Sequence, residues 1–120
     1  MIILSGQPVS TSHIYAYHCK FGYPSGYMNA KGKDIKKQYQ DEMWKQRNGR
    51  MLDSLIVLEV RMYFKTKGKH DIDNFSKLIL DAGNGILWED DGQIQKLILE
   101  KYYDKENPRV ELIIYPQTKT

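Results

Sequence analysis

Cysteine is nearly missing from this chain: Cys19 is the only one among 120 residues. A single cysteine closes no internal disulfide, which suits a reducing compartment. Long apolar runs are missing too. Nothing approaches the roughly twenty apolar residues of a membrane span, and the opening MIILSGQPVS has no basic flank and few apolar residues, unlike a signal sequence. A soluble, cytoplasmic protein is expected. Neither sign of charge dominates, with 18 Lys and Arg against 15 Asp and Glu, a net +3. At 41% hydrophobic and 28% charged, the composition is that of a globular chain rather than a disordered one. No internal repeat or low-complexity tract occurs, and 120 residues supply one core, not two.

What the chain concentrates is aspartate. The stretch Lys69–Ile94, KHDIDNFSKLILDAGNGILWEDDGQI, holds Asp71, Asp73, Asp81, Asp90 and Asp91. With those five set apart, ten acids remain against 18 basic residues, a field of +8 around an acidic pocket. Such a field attracts a polyanion to the surface and metal ions to the pocket, an arrangement that fits a phosphodiester substrate. Scattered lysines also serve solubility alone.

Within the stretch, Phe75, Leu78, Ile79 and Ala82 recur at helical spacing. Asp71 and Asp73 come just before that pattern, where an extended backbone points both side chains the same way. Asp73 reads as the N-cap, which sets Asp71 near the positive end of the helix dipole. Lys77 follows Asp73 by four residues and lies on the same helix face one turn on. After the Gly83-Asn84-Gly85 break, Ile86, Leu87 and Trp88 dock on the core and return Glu89-Asp90-Asp91 toward the helix start. Carboxylates from two places then converge, as hard divalent cations require. Singly, each aspartate reads as well as a cap or a turn residue. Together they exceed what one cap explains. An EF-hand also opens with Asp-x-Asp, but Ser76 and Ala82 stand where that loop needs Gly and Glu.

The remaining chain reads in order as strand, irregular segment, helix, strand, helix, strand, strand. Met1–Ser5 is a short strand. Ser10–Tyr27, with Tyr15, Tyr17, His18, Tyr23 and Tyr27, lacks a clean period; its aromatics and Lys20 either stack on bases or cover the core. His13, His18 and Cys19 lack a fourth ligand for a structural zinc. Ala30–Arg47 is a helix with Ile35, Tyr39 and Met43, extended by Trp44 and Gln38, on one stripe, closed by Asn48-Gly49. Met51–Phe64 is a long strand, its first half apolar on both faces and its second half alternating. Lys65, Lys67 and Lys69 make a basic loop that leads into Asp71 and suits an arriving phosphate; His70 reads as a loop residue. Gln93–Tyr103 and Arg109–Tyr115 form a C-terminal hairpin around Asp104–Pro108, and the tail frays. The fold class is α+β: a mixed sheet with two main helices packed against it, in a single domain over 1–120.

Asp71-Ile72-Asp73-Asn74, Lys77, Asp81-Ala82 and Leu87-Trp88-Glu89-Asp90-Asp91-Gly92-Gln93-Ile94 together resemble the signature of the RusA family of Holliday junction resolvases, often carried by phages and prophages. The resemblance is strong over Lys69–Ile94 and looser over the whole chain. It implies a homodimer that binds branched DNA, the four-way junction, and makes paired nicks with Mg2+, or Mn2+ in its place, during recombination and repair. It carries the family's essential acids to Asp71, Asp73 and Asp91, its functional lysine to Lys77, and an accessory ligand to Asp90. Asp81 is either an outer partner of the site or a core-edge residue. Gln7-Pro8-Val9-Ser10 departs from the family's Pro-Pro-Ser/Asn pattern. A helix-to-Trp88 link about one residue short leaves Asp90 and Asp91 both in play as the inner ligand. No membrane partner and no nucleotide cofactor are expected. The rival readings are a non-catalytic binder of branched or single-stranded DNA, and an interaction module whose aspartates only cap and turn.

Overall fold

The computed structural model describes residues 1–11, 15–20, 23–49 and 51–117, with the backbone alone for 15–20 and 23–27. Ten elements follow one another: β1 (Ile2–Ser5), β2 (Tyr15–Lys20), β3 (Tyr23–Met28), α1 (Ala30–Gln46), β4 (Ile56–Phe64), a 3-10 turn (Ile72–Phe75), α2 (Lys77–Gly83), a second 3-10 turn (Asp91–Gln93), β5 (Ile94–Tyr103) and β6 (Arg109–Pro116). The main sheet runs β1-β6-β4-β5, with β4 parallel to β5 and antiparallel to β6. The mixed sheet and two helices expected from the sequence are both present.

Alternation along β4 decides which face is covered. Ile56, Leu58, Val60, Met62 and Phe64 are buried on one side, while Glu59, Arg61 and Tyr63 on the other are half-exposed. Register carries this pattern across the sheet: Val60 pairs with Leu112, Met62 with Val110, and those two pair with Ile2 and Leu4. Against this apolar face lie Tyr39 and Met43 of α1 and Leu78, Ile79 and Ala82 of α2, forming one core. Burial, then the nearby Glu42 carboxylate, pushes the Tyr39 hydroxyl up to about 12. The uncovered face has its own polar lattice. Tyr63 Oη donates to Glu111 (3.1 Å), and Arg109 pairs with Glu111 (3.0 Å) and Asp104 (2.8 Å) while its guanidinium lies 3.9 Å over the Tyr63 ring.

Two expectations about connectivity give way. β5 and β6 are not a hairpin, because β4 lies between them. The chain crosses from β4 to β5 through α2, the parallel crossover that strand twist favours. That leaves β6 the opposite side of β4, and Asp104–Pro108 bridges over the strand's end, where Asp104 N–H donates to the Phe64 carbonyl at 2.8 Å. The hydrogen bond from Arg109, above all, holds the Asp104 carboxyl below its usual range. The segment read as irregular contains the paired strands β2 and β3. Its tyrosine side chains, His13 and the His18 and Cys19 side chains lie outside the described residues, and the base-stacking and zinc readings with them.

α1 ends where expected, with Arg47 as its C-cap, but Trp44 is 59% exposed under the Arg47 guanidinium and leaves the buried stripe. At its start Asn29 Oδ1 accepts from Gly32 N–H at 2.8 Å. Asn29→Ala removes that cap and is expected to cost about 1 kcal/mol, read as a lower midpoint in urea. Among the described residues no helix is long and apolar enough to cross a membrane.

Candidate active site

Beyond Phe64 the chain turns back through the lysine loop. The Lys65 N–H donates to Gln7 Oε1 at 2.8 Å, and Lys67 Nζ lies 5.1 Å over the Tyr103 ring. Lys65, Lys67 and Lys69 are all exposed. His70 ends the loop, lying flat on Phe64 (4.0 Å between centroids, 9°) and edge-on to Phe75 (6.0 Å). Its carbonyl accepts from Lys101 Nζ at 3.0 Å, which ties the loop to the C-terminal half of β5. A residue that reads as plain loop is therefore a fixed wall.

Asp71 precedes the first 3-10 turn in extended conformation, and Asp73 lies within it. Asp71 thus keeps the extended backbone expected for the pair, whereas Asp73 belongs to the turn, so the two do not share one extended segment. Ile72 and Phe75 anchor the turn, with Phe75 buried and Ile72 packed at the core's edge. Asp73 does not cap α2 either, since Ser76 precedes that helix and makes no side-chain cap bond. Among the described residues no hydrogen bond or ion pair engages the Asp71 or Asp73 carboxylate, and both residues are exposed. Lys77 opens α2, exposed; Asp81 is half-buried farther along it.

The second acidic group depends on Trp88. Its ring is fully buried, its indole N–H donates to Asn84 Oδ1 at 2.8 Å, and its six-membered ring presses on Gly83. From this anchor the chain enters the turn at Asp91. Asp90 Oδ2 accepts from Gly92 N–H at 2.8 Å, closing a capping box with Gln93. The Gln93 amide is fully used: Oε1 accepts from Glu89 N–H (2.8 Å) and Asp90 N–H (3.1 Å), while Nε2 donates to the Leu52 (2.8 Å) and Ser54 (2.9 Å) carbonyls. Gln93 was missed as a site-shaping residue, although the Asp90-x-x-Gln93 spacing is a readable capping signal. The Asp91 carboxylate, like those of Asp71 and Asp73, has no partner among the described residues.

The chain thus presents three uncommitted carboxylates on two turns. They enter at opposite ends of β5: Asp91 just before Ile94, Asp71 beside the carbonyl held by Lys101. Among the described residues no three carboxylate, imidazole or thiol groups stand close enough to hold a metal ion. Among the described residues, the convergence expected from the sequence is not seen as a three-ligand group within one chain. By chemistry the donors suit a hard divalent cation, which takes oxygen ligands, commonly one or two carboxylates with water and phosphate oxygens.

Two comparisons bear on this arrangement. The "Uncharacterized protein YqaN" of Bacillus subtilis (strain 168) is 44% identical over 46 residues, 38% of this chain. That match spans 32% of the relative's own length. The family described as Endodeoxyribonuclease RusA matches residues 5–115, which takes in both acidic turns, α2 and the strands β4 and β5. The chain belongs to the RusA endodeoxyribonuclease family.

Proposed function

We propose that this chain is a metal-dependent endodeoxyribonuclease that resolves four-way DNA junctions by paired nicks, acting as a homodimer. The observation that carries the reading is that Asp71, Asp73 and Asp91 have no partner among the described residues and stand on two turns within the residues the family matches. Asp71 and Asp73 are exposed and Asp91 is half-exposed, and none has a cationic partner among the described residues, so each can accept a metal ion. Mg2+ is the expected ion, with Mn2+ as a substitute. A hard divalent cation supplies Lewis-acid activation of water and charge neutralisation at the phosphate. Asp71, Asp73 and Asp91 bind it, and Asp90 shapes the turn rather than serving as a primary ligand. Lys77 balances charge on the phosphate as the bond breaks. Lys65, Lys67 and Lys69 hold the DNA backbone beside it.

The dimer supplies what one chain lacks. β5 is an edge strand ten residues long with Leu97, Tyr102 and Tyr103 exposed, a template for pairing with a second copy. Two β5 strands set antiparallel about a two-fold axis at Ile98 are self-complementary. Lys96 then faces Glu100 of the partner subunit, and Leu97 faces Leu99 of the partner subunit, each twice. Neighbouring registers set Lys96 against Tyr102 or Ile98 instead. Because antiparallel pairing brings opposite strand ends together, Asp91 of the partner subunit approaches Asp71 and Asp73. Two such composite sites match the two strands cut in a two-fold symmetric junction.

Non-catalytic binding of branched DNA is the second reading, favoured by the lack of a three-ligand group among the described residues of one chain. One experiment separates them: a synthetic mobile four-way junction with a linear duplex control, with Mg2+, with EDTA, and with Asp73→Asn in Mg2+. Symmetric nicks only from wild type with metal are the expected outcome. Tight junction binding with no cleavage in Mg2+ or Mn2+ would sink the enzyme.

A further inference from the structure

Beside Asp71 lies a cleft of about 440 Å³ that no step above uses. It is lined by Gln7, Pro8, Val9 and Ser10 on one side and His70 and Phe75 on another, with the exposed Lys31 also on its lining. The walls come from three distant parts of the chain, the segment after β1, the start of α1 and the turn that carries Asp73. They are held rigidly. His70 is fixed between Phe64 and Phe75, and the Gln7 side chain anchors the first wall to the Lys65 backbone. Lys31 is exposed, with no acidic partner among the described residues.

We propose that this cleft receives one unstacked nucleobase of the cleaved strand, next to the phosphate handled by Asp71 and Asp73; this rests on the endonuclease reading. Its volume exceeds that of a single base; Pro8, Val9 and the His70 and Phe75 rings offer apolar and aromatic surface to a planar π-face, and Gln7 and Ser10 offer polar groups to a base edge. Lys31 on the lining complements the phosphate that enters with the base. The position explains structural selectivity. Drawing a base from a continuous duplex costs a few kcal/mol of stacking and pairing, and this cost is least where stacking is already broken. A branch point offers such a base, so only there does the neighbouring phosphate reach the aspartates without that penalty. Selectivity for branched DNA then arises within each protomer, separately from dimer geometry.

The test uses the full chain and a four-way junction with 2-aminopurine at the branch point, titrated in EDTA so that cleavage plays no part. Wild type is expected to prefer junction over linear duplex and to change the 2-aminopurine emission on binding. Val9→Trp fills the cleft, and Lys31→Ala, an exposed substitution that keeps the core intact, removes the cation on its lining. Each is expected to lower the junction-to-duplex affinity ratio roughly tenfold and to reduce the emission change. If both variants keep the ratio and the signal while wild type binds junctions, the cleft assignment is wrong and the endonuclease reading stands. If wild type binds no DNA, both fail.

Discussion

A mixture of Asp73→Asn and Asp91→Asn chains, each inactive alone, is expected to recover nicking activity after co-refolding. In a composite site, Asp71 and Asp73 come from one subunit and Asp91 from the other. A mixed dimer then holds one site with both substitutions and one with neither. Random pairing makes about half of the dimers mixed, so about a quarter of all sites are intact. The recovered activity has a signature: single nicks without the paired cut, since the second site of each mixed dimer is dead. If each site were built within one chain, every site in the mixture would carry a substitution and the mixture would stay inactive. Asn replaces Asp with little change in shape or turn preference, so the homogeneous variants should keep their fold while activity collapses by 10³-fold or more, as expected when a ligand to an essential ion is lost. The readout is a denaturing gel of junction strands beside a native gel of resolved duplexes. Wild-type melting curves for both variants guard against misfolding.

Replacing Gly83 by alanine should be among the most damaging single-atom additions in the molecule. A Cβ there would lie 2.4, 2.7 and 2.9 Å from three atoms of the Trp88 ring. Gly83 is not in the left-handed region, so strain in its own backbone is not the cause. Nor can Trp88 retreat easily, because it is fully buried and its indole N–H is held by Asn84. Overpacking of this kind costs about 1–3 kcal/mol and occasionally more, and the better helix propensity of alanine recovers at most about 1 kcal/mol. A net loss of about 2 kcal/mol in urea unfolding is expected. Trp88→Phe removes the ring atoms that collide, so the double variant should lose less than the two single losses added together. Strict additivity would show that the contact is not the cause.

The sequence and the structure agree where burial alone decides. The alternation of Leu58, Val60, Met62 and Phe64 and the helical recurrence of Phe75, Leu78, Ile79 and Ala82 identify residues that are in fact buried. They part where position depends on a distant partner. Nothing in Gln93–Tyr115 reveals that β4 will separate β5 from β6; a short turn between two strands reads as a hairpin until the α2 crossover is counted. The 3-10 turn hides in the same way. Ile72, Phe75 and Leu78 recur at intervals of three, which is readable, yet Asp71-Ile72-Asp73 also fits the simpler extended pattern. For the site, the residue types are legible, and so is the family. Which carboxylates meet is not, since an uncovered strand edge is a property of the assembled sheet. Spacing leaves Asp90 against Asp91 open; in the fold the Gly92 N–H engages Asp90, and the Asp91 carboxylate has no partner among the described residues.

The sheet's far edge has a consequence for how the chain assembles. β1 pairs only with β6, so Ile2 meets Leu112 and Ser5 meets Arg109. Closing so long a loop costs on the order of 4 kcal/mol in chain entropy, about 1 kcal/mol more than bringing β4 to β5. Four residue pairs must offset it, against nine between β4 and β5. On this count β4, α2 and β5 are expected to form the early nucleus and β1 to be the clasp fastened last. Since Pro8 and Val9 follow closely on β1 and line the cleft near Asp71, that cleft is expected to be complete only once β1 has paired.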